Sequence, residues 1–372
     1  MNILVIGNTS SIHDLKWITY LSKNSEHQFF FTQENQNLPP SKDQIDQYQK
    51  AGVKLVPNLP SFSLIKFWIT IIGWFKINRL IKQNKIDLIH VIFPTPHIYW
   101  STFSSKTKIV TTRGSDVLIV IRGLIENPSL KNKTLLWLME FNLKKTNHIT
   151  CTSELQENYL IQHFPFLKGK TSIVRTGINI DFINSIKSPD QKTNEIKIFS
   201  PRFFLPIYNI KNIILAINKL PNELQSKIHL QLVKGTKVDA EYEKTILALL
   251  DKVKFKYSIA DYYNQEELIR TYKKSDLIIM IPKSDGTPNS ALETMICKKP
   301  LIISDLNYQS PLFEKTSLAA NPLNVDDVTA KINTALTNYP TELLNKAYDL
   351  VQKFGNQKTE MKKVLYIYNQ KG

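Results

Sequence analysis

Short apolar runs alternate with helical segments along most of the chain, and this alternation limits the fold more than any other feature of the sequence. In the first half, the pattern predicts strands at 2–6, 28–32, 54–55, 88–93, 109–112, 148–152 and 171–175, and helices at 12–22, 64–83 and 135–146. Apolar runs separated by helices are typical of a parallel sheet that is covered on both faces.

The alternation stops at Asn184–Glu195, a polar segment with a proline, which we interpret as a linker. It then resumes, with strands predicted at 197–200, 229–233, 277–281 and 301–304, and helices at 212–219, 240–250, 268–274, 290–297, 325–336 and 342–353. The 372 residues suffice for two domains of ordinary size. We therefore expect an α/β protein with two Rossmann-like domains, residues 1–185 and 196–345, and a cleft between them.

Composition favours a globular protein without a structural metal. The hydrophobic content of 42% is enough for a real core. Cys151 and Cys297 fall in predicted elements and are expected to be reduced thiols, and the seven histidines lack ligand spacing. The N-terminus has no basic n-region, and no apolar run reaches the roughly 18–20 residues of a membrane span. We expect a cytoplasmic protein, soluble or peripheral.

The net charge of +16 is concentrated in one part of the chain. Between Gln47 and Ser115 there are ten basic residues, and Asp87 is the only acid. Such a field favours phosphate-rich partners, namely anionic lipid, a pyrophosphate-linked acceptor or nucleic acid. Nucleic acid is not expected, because aromatic residues interleaved for base stacking are missing outside the helix at 64–83.

Two carboxylates, Asp285 and Glu293, flank a small polar turn between a predicted strand and helix. The turn consists of Gly286, Thr287, Pro288, Asn289 and Ser290. Open α/β sheets bind ligands at the carboxyl ends of their strands, and helix N-termini attract phosphate. An anion site with two carboxylates for hydroxyl groups is what a sugar nucleotide requires.

This stretch resembles the E-x7-E motif of the retaining glycosyltransferases of family 4, which have the GT-B fold. Asp285 takes the place of the first glutamate. In that family the first acid lies by the donor sugar and the second binds the ribose, which implies these roles for Asp285 and Glu293. The resemblance also implies substrate contacts from the turn residues 286–290.

The start of the second domain resembles the part of the family that holds the donor diphosphate with an arginine and a lysine. Arg202, after the strand at 197–200, matches the arginine, and a guanidinium beside a helix N-terminus suits a diphosphate. Lys211 is one candidate for the lysine. An alignment anchored on Ala216 puts Tyr208 in that position instead, and both assignments remain open. Gly235 falls where the family has a glycine beside the nucleotide base.

In the first domain, the loop that begins at Gly7 resembles the first loop of several family members and faces the expected cleft. Its single glycine does not make a G-x-G-x-x-G fingerprint, which disfavours a nicotinamide-dependent oxidoreductase. His13 is expected either to contact a substrate or to cap the first helix.

Arg113-Gly114-Ser115-Asp116 stands where the family often has a histidine followed by glycine and aspartate. Arg113 replaces that histidine, and we expect Arg113 and Asp116 to bind substrate oxygens. Upstream, His90 is expected to be a core residue, whereas His97 is the candidate for acceptor contact.

The helix at 64–83 has polar or small residues at 66, 70, 73, 76 and 79, a narrow stripe at helical spacing. Its remainder is apolar and rich in aromatic residues. Two interpretations remain open: a helix packed on the first sheet, or an interfacial membrane helix.

The resemblance implies transfer of a sugar, with retained configuration, from a nucleoside-diphosphate donor to an acceptor hydroxyl. It requires no metal and no cofactor, and UDP is favoured over GDP as the carrier. A glycan or lipid-linked acceptor, as in bacterial surface polysaccharide or glycolipid assembly, fits the basic charge, as does attachment to the anionic inner face of the plasma membrane. Residues 346–372 are expected to return to the first domain through a helix at 361–368. The alternatives are a nucleotide-sugar epimerase of the same fold and a non-catalytic anionic-lipid-binding protein.

Overall fold

The computed structural model describes residues 1–187, 194–235 and 238–371, which form two compact units. Unit 1 contains Met1–Thr176 and the chain from Thr359 onward, and unit 2 contains Gly177–Lys358. Each unit has one parallel sheet with helices on both faces. The predicted pair of Rossmann-like α/β domains is confirmed.

Unit 1 contains a seven-stranded sheet in the order β3-β2-β1-β4-β5-β6-β7. Its strands are β1 (Asn2–Gly7), β2 (Gln28–Gln33), β3 (Lys54–Leu55), β4 (Leu88–Ile92), β5 (Thr107–Thr111), β6 (His148–Cys151) and β7 (Thr171–Ile173). The helices up to β7 are α1 (Ile12–Lys23), α2 (Lys42–Lys50), α3 (Phe67–Gln83), α4 (Pro94–His97), α5 (Arg122–Glu126), α6 (Leu130–Lys144) and α7 (Glu154–His163). A π-helix, Asp116–Ile121, precedes α5.

Unit 2 contains a six-stranded sheet in the order β10-β9-β8-β11-β12-β13. Its strands are β8 (Ile196–Ser200), β9 (Ile228–Val233), β10 (Lys256–Ala260), β11 (Leu277–Met280), β12 (Leu301–Ser304) and β13 (Leu318–Ala320). Its helices are α8 (Ile180–Ser185), α9 (Ile210–Asn218), α10 (Asn222–Gln225), α11 (Ala240–Leu250), α12 (Gln265–Lys274), α13 (Asn289–Ile296), α14 (Val325–Thr337) and α15 (Thr341–Phe354).

The order of the strands reverses once in each sheet, and this reversal positions the candidate sites. In unit 1 the chain moves outward from β1 in one direction and from β4 in the other. In unit 2 the same reversal lies between β8 and β11. At such a point the loops that follow the two strands diverge to opposite faces and leave a crevice where ligands bind.

The sequence did not predict β10, β13, α2 or α7. The two strands lie at opposite edges of the second sheet. The strand β10 begins with exposed residues and β13 is only three residues long, so neither shows a long apolar run. The helix α2 has a single buried residue, Tyr48, and is mostly polar. The predicted linker at 184–195 overlaps the end of α8, and residues 188–193 lie outside the described part of the chain.

The last helix, α16 (Gln357–Lys371), packs on unit 1 and is longer than the predicted 361–368. Met361, Val364 and Tyr368 are buried in one of the two hydrophobic cores of this unit. The Tyr368 hydroxyl lies 2.6 Å from Nδ1 of His90, which confines that histidine to the interior.

The helix α3 begins at Phe67. The middle of its narrow polar stripe, at Thr70 and Gly73, faces the protein, whereas Lys66 and Arg79 at the two ends of the stripe are exposed. Thr70 is buried, and its hydroxyl donates to the Ser63 carbonyl at 2.8 Å. Gly73 lies so close to the Trp100 ring that a Cβ built there would come within 2.1 Å of it. The apolar side chains on the opposite side of α3 are therefore exposed. Among the described helices, none is both long and apolar enough to cross a bilayer.

Candidate active site

The carboxyl ends of β8 and β11 bring together three of the predicted residues of unit 2. Arg202 follows β8, Asp285 lies in the loop after β11, and Glu293 belongs to α13. Arg202 and Asp285 form an ion pair in which their side chains are only 14% and 20% exposed. The other Asp285 oxygen accepts the Gly286 N–H at 2.8 Å.

Three tyrosines surround the Arg202 guanidinium, and the sequence had singled out one of them, Tyr208. The guanidinium lies over the Tyr208 ring at 4.7 Å, and the buried Tyr272 and Tyr308 are close enough to interact with it electrostatically. Burial raises the pKa of Tyr308 to about 12, although Arg202 opposes the shift. Burial, followed by the Glu293 charge, raises the pKa of Tyr272 well above its usual value. Both hydroxyls therefore remain protonated and can donate hydrogen bonds at neutral pH.

Glu293 is 8% exposed and lies in the second turn of α13. Burial lowers the pKa of Arg202, whereas the neighbouring tyrosines and Glu293 raise it. Because an arginine remains protonated in proteins, the group contains one fixed cation and two carboxylates. Such a set can donate to phosphate oxygens and accept from sugar hydroxyls.

The turn residues 286–290 lead directly into α13. Pro288 precedes the first residue of the helix, Asn289, and the Ser290 hydroxyl points to Sδ of Met280 at 3.4 Å. The first backbone N–H groups of an α-helix have no partner within the helix and present a positive dipole end. This end of α13 therefore supplies donors beside Asp285.

Two further predicted residues of unit 2 are placed differently. The Lys211 side chain is exposed, and its backbone N–H donates to the Tyr242 hydroxyl at 3.0 Å. Of the two alignments, the one with Tyr208 thus puts a side chain against Arg202. Gly235 has a φ of +82°, and a Cβ there would come within 2.1 Å of the Phe203 ring. Phe203, the residue next to Arg202, can therefore hold its position only because residue 235 has no side chain.

In unit 1, Arg113 is held by partners that the sequence did not predict. Its guanidinium pairs with Asp14 at 3.1 Å and stacks on Trp17 at 4.2 Å. The other Asp14 oxygen accepts the Asn8 N–H, and Asp14 lies against Gly7, where a Cβ would be 3.0 Å from Oδ2. The side chains of Arg113 and Asp14 are 11% and 6% exposed. This largely covered pair joins the start of α1 to the loop after β5.

Asp116 organises the backbone of the same loop. Its carboxylate accepts the N–H groups of Arg113, Gly114 and Val117. Burial raises its pKa to about 6, and those hydrogen bonds oppose the shift. Its carboxylate is thus occupied by the loop's own backbone, and the residue shapes the loop beside Arg113.

His13 and His97, the two histidines predicted to contact substrate, differ in exposure, because His13 is exposed and His97 is buried. His13 lies in the first turn of α1, where Ser11 is the N-cap, so the capping alternative for His13 is wrong. The surrounding protein and then Arg113 lower its pKa to about 4, so it is neutral at pH 7. His97, the predicted acceptor contact, is buried, and its Nδ1 donates to the Ile92 carbonyl at 2.7 Å.

Sequence reasoning found Arg202, Asp285 and Glu293 because each follows a strand end within a motif. It missed Tyr272 and Tyr308 because a helix and a loop distant in sequence bring them to the site. The sequence did contain a signal for Asp14 and Trp17. They are three residues apart in the predicted helix at 12–22, so their side chains are expected on one face of it. In the described part of the chain, no group of three or more histidine, cysteine or acidic residues is arranged to hold a metal.

Two family models match consecutive parts of the chain. Residues 22–182 match Glycosyltransferase Family 4, and residues 181–355 match Glycosyl transferases group 1. No curated protein matches the chain.

Solved glycosyltransferase structures share the fold at low sequence identity. A glycosyltransferase from Rickettsia africae superposes with a TM-score of 0.76 at 16% identity, covering 99% of this chain and 98% of the other. HepE from Anabaena, in complex with UDP, gives 0.75 at 11% identity, with all of both chains covered. Sucrose-phosphate synthase from Thermosynechococcus elongatus gives 0.73 at 14%, covering 100% of this chain and 98% of the other.

The order of the two family matches is that of the two units, and the neighbours have the same pair of parallel-sheet domains. The predicted resemblance to family 4 is thereby confirmed over residues 22–355. This protein belongs to the GT-B glycosyltransferases of the family 4 type.

Proposed function

We propose that this glycosyltransferase moves a hexose from a UDP-sugar to an acceptor hydroxyl with retention of configuration. The observation that carries the proposal is Arg202, whose largely covered side chain lies between two carboxylates and three tyrosines at the β8–β11 switch point. Unit 2 would bind the donor in this way, and unit 1 the acceptor.

Arg202 is assigned to the leaving diphosphate. Negative charge on that group grows as the glycosidic bond breaks, so a fixed guanidinium there stabilises the transition state more than the bound substrate. The N-terminus of α13 adds backbone donors, and Tyr208 holds the guanidinium plane. We propose that these groups act without a metal. Lys211 would contribute at most long-range charge, since its side chain is exposed.

The carboxylates are assigned to hydroxyl groups. Glu293 would accept hydrogen bonds from the two ribose hydroxyls. Asp285 and residues 286–290 would hold the sugar, with Asp285 still anchored by the Gly286 N–H. No residue is assigned as a covalent nucleophile, and retention would arise from attack on the same face, guided by the leaving phosphate.

A uridine carrier is favoured over guanosine by the neighbours. HepE from Anabaena was solved with UDP and with UDP-glucose. Gly235 lies beside Arg202's neighbour Phe203, where the family resemblance implies the base.

On unit 1 we assign Arg113, His13 and the Gly7 loop to the acceptor. The buried Asp14 and Trp17 fix the guanidinium, so it can donate to an acceptor oxygen without losing side-chain freedom on binding. Asp116 would act by shaping that loop, and His97 by holding the chain after β4.

The setting that fits best is bacterial surface polysaccharide or glycolipid assembly, on the cytoplasmic face of the plasma membrane. The support is charge: between Gln47 and Ser115 there are ten basic residues and one acid. A lipid-linked acceptor with a pyrophosphate, at an anionic membrane, would match that field.

The proposal is tested by offering the protein a panel of UDP- and GDP-sugars. Native mass spectrometry should detect one retained UDP-sugar, and donor hydrolysis should then release UDP. Arg202→Ala should slow this release by about 10²-fold or more, and Arg270→Ala, a change at an exposed side chain, should leave it unchanged. Retention of no donor would refute the proposal. Free epimerised sugar formed without an acceptor would favour the epimerase.

A further inference from the structure

The exposed side of α3 carries a continuous apolar surface, which we call the aromatic face: Phe67, Trp68, Ile71, Ile72 and Phe75. Trp68 is 63% and Phe75 is 73% exposed, high values for such large apolar side chains. These residues recur at helical spacing, so they form one stripe. Contiguous exposed apolar surface marks an interaction site.

The orientation of α3 is fixed by its other side. Gly73 accommodates the Trp100 ring, and Ile77 and Leu80 are buried in the core of unit 1. A rotation that buried the aromatic face would break these contacts. The exposure therefore follows from tight packing on the opposite side of the helix.

The aromatic face continues into the neighbouring loop. The Trp74 ring contacts Phe67 at 5.7 Å and Phe103 at 4.5 Å between centroids. Its Nε1 donates to the Tyr99 carbonyl at 2.8 Å, so Trp74 is anchored while Phe103 remains 62% exposed. The apolar surface thus belongs to a rigid part of the unit.

Basic side chains flank the aromatic face. Lys66 precedes α3, and Arg79, Lys82 and Lys85 follow at its C-terminal end, all exposed. The one acid of this stretch, Asp87, accepts the Asn2 backbone N–H at 2.8 Å.

We infer that α3 lies in the interface of an anionic bilayer, with the aromatic face inserted below the headgroups and its basic flank on lipid phosphates. Aromatic rings beside basic residues are the pattern of helices that lie in the membrane plane. Charge also selects the occupant: a second copy would bring the same +16 charge to the contact, whereas an anionic bilayer brings the opposite charge.

The inference gives the proposed membrane setting a second, apolar component. Basic residues alone would predict attachment that salt abolishes. Insertion of the aromatic face predicts that part of the attachment persists in high salt. The inference rests on the proposed function only in that it assumes a lipid-linked acceptor. Binding to vesicles can be measured without a donor.

The first test compares double variants on phosphatidylcholine vesicles with and without phosphatidylglycerol. Trp68→Ser with Phe75→Ser should lower partitioning about tenfold or more, at low and at high salt. Leu323→Ser with Tyr366→Ser removes two equally exposed apolar side chains elsewhere and should change nothing. Equal partitioning of the aromatic-face variant and the wild type would overturn the inference.

A second test measures the charge contribution. Arg79→Glu with Lys82→Glu and Lys85→Glu should weaken binding at low salt and leave the salt-resistant fraction. Lys252→Glu with Lys254→Glu and Lys315→Glu has the same change in charge on unit 2 and serves as the control. If the triple variant at 79, 82 and 85 also lost the vesicle binding that persists in high salt, insertion of the aromatic face would be contradicted.

Insertion can also be measured directly. Brominated acyl chains should quench tryptophan fluorescence in the wild type and in Trp137→Phe, but not in Trp68→Phe. The reverse pattern would assign the contact to α6 and refute the inference. Concentration-dependent dimerisation that Trp68→Ser abolishes, without vesicle binding, would identify a second copy as the occupant. UDP release from the donor should be unaffected in every variant, so failure here leaves the proposed function standing.

Discussion

At the residue scale, the donor site that we propose depends on a single guanidinium with several neighbours. Arg202 pairs with Asp285, stacks on Tyr208 and lies within electrostatic reach of Glu293, Tyr272 and Tyr308. The planar five-donor group can keep the Asp285 contact and still donate to phosphate. A lysine has the charge but not this geometry.

Arg202→Lys and Arg202→Ala are both expected to lower kcat by about 10²-fold or more, with a smaller change in KM. The reason is that the guanidinium faces charge that develops only as the diphosphate leaves. Steady-state kinetics on donor hydrolysis measure the effect, and Arg270→Lys on the exposed face of α12 is the control. A change confined to KM would make Arg202 a ground-state contact only.

Glu293→Gln is expected to weaken UDP binding by about 1.5–3 kcal/mol, the contribution of hydrogen bonds to a charged group. Isothermal titration calorimetry measures it, with the exposed Glu223→Gln as the control. Unchanged affinity for UDP would contradict the assignment of Glu293 to the ribose hydroxyls.

Glu34 predicts a pH dependence of stability. It is fully buried and accepts a hydrogen bond from Trp100 Nε1 at 2.6 Å, and burial raises its pKa from 4.5 to about 7. The folded protein therefore binds this proton more tightly than the unfolded chain, so the contribution to stability is full below pH 4.5 and is lost as the pH rises to about 7.

Glu34→Gln should remove that dependence. The variant should match the wild type near pH 5 and be more stable near pH 8, by on the order of 1–3 kcal/mol. Urea unfolding across this pH range measures the difference, with Glu223→Gln as the control. Parallel curves for variant and wild type would show that Glu34 does not titrate there.

The sequence identified the acids and the arginine because chemistry at strand ends is visible in a local pattern. It could not find Tyr308, since a buried tyrosine in a loop looks like any core residue until the fold is known. Arg113 was found without Asp14, because their pairing requires the loops after β1 and β5 to meet.

At the element scale, the strands were predictable where both faces are buried. The strand β4 is buried throughout and is apolar except for His90. The edge strand β10 is half exposed and carries no such run. The orientation of α3 was unpredictable for a related reason: apolar residues cover most of its circumference, so hydrophobicity alone does not say which side faces the core.

Two helical glycines test that orientation. Gly73→Ala would place a methyl group against the buried Trp100 and should cost about 1–3 kcal/mol of stability. Gly123→Ala in α5 has no atom within 4 Å of the new methyl and should stabilise by up to about 1 kcal/mol through helix propensity. Urea unfolding compares them, and stabilisation by Gly73→Ala would mean that this side of α3 faces solvent.

At the scale of the whole molecule, we assign the donor to unit 2 and the acceptor to unit 1, and we assign the diphosphate charge to Arg202 and helix N-termini. Sugar transfer should therefore continue in EDTA. The measurement is product formation after dialysis against the chelator, with and without added Mn²⁺ or Mg²⁺. Loss of activity that either ion restores would require a different mechanism.

The docking of α16 on unit 1 has a consequence for biosynthesis. Unit 1 contains the first 176 residues, yet its core includes Met361, Val364 and Tyr368. On the ribosome, every residue of unit 2 is made before those side chains exist. Part of the apolar surface of the N-terminal sheet therefore stays uncovered until α16 has been synthesised, whereas unit 2 can finish folding earlier. A stop codon in place of Thr359 would leave unit 2 complete and would remove part of the core of unit 1.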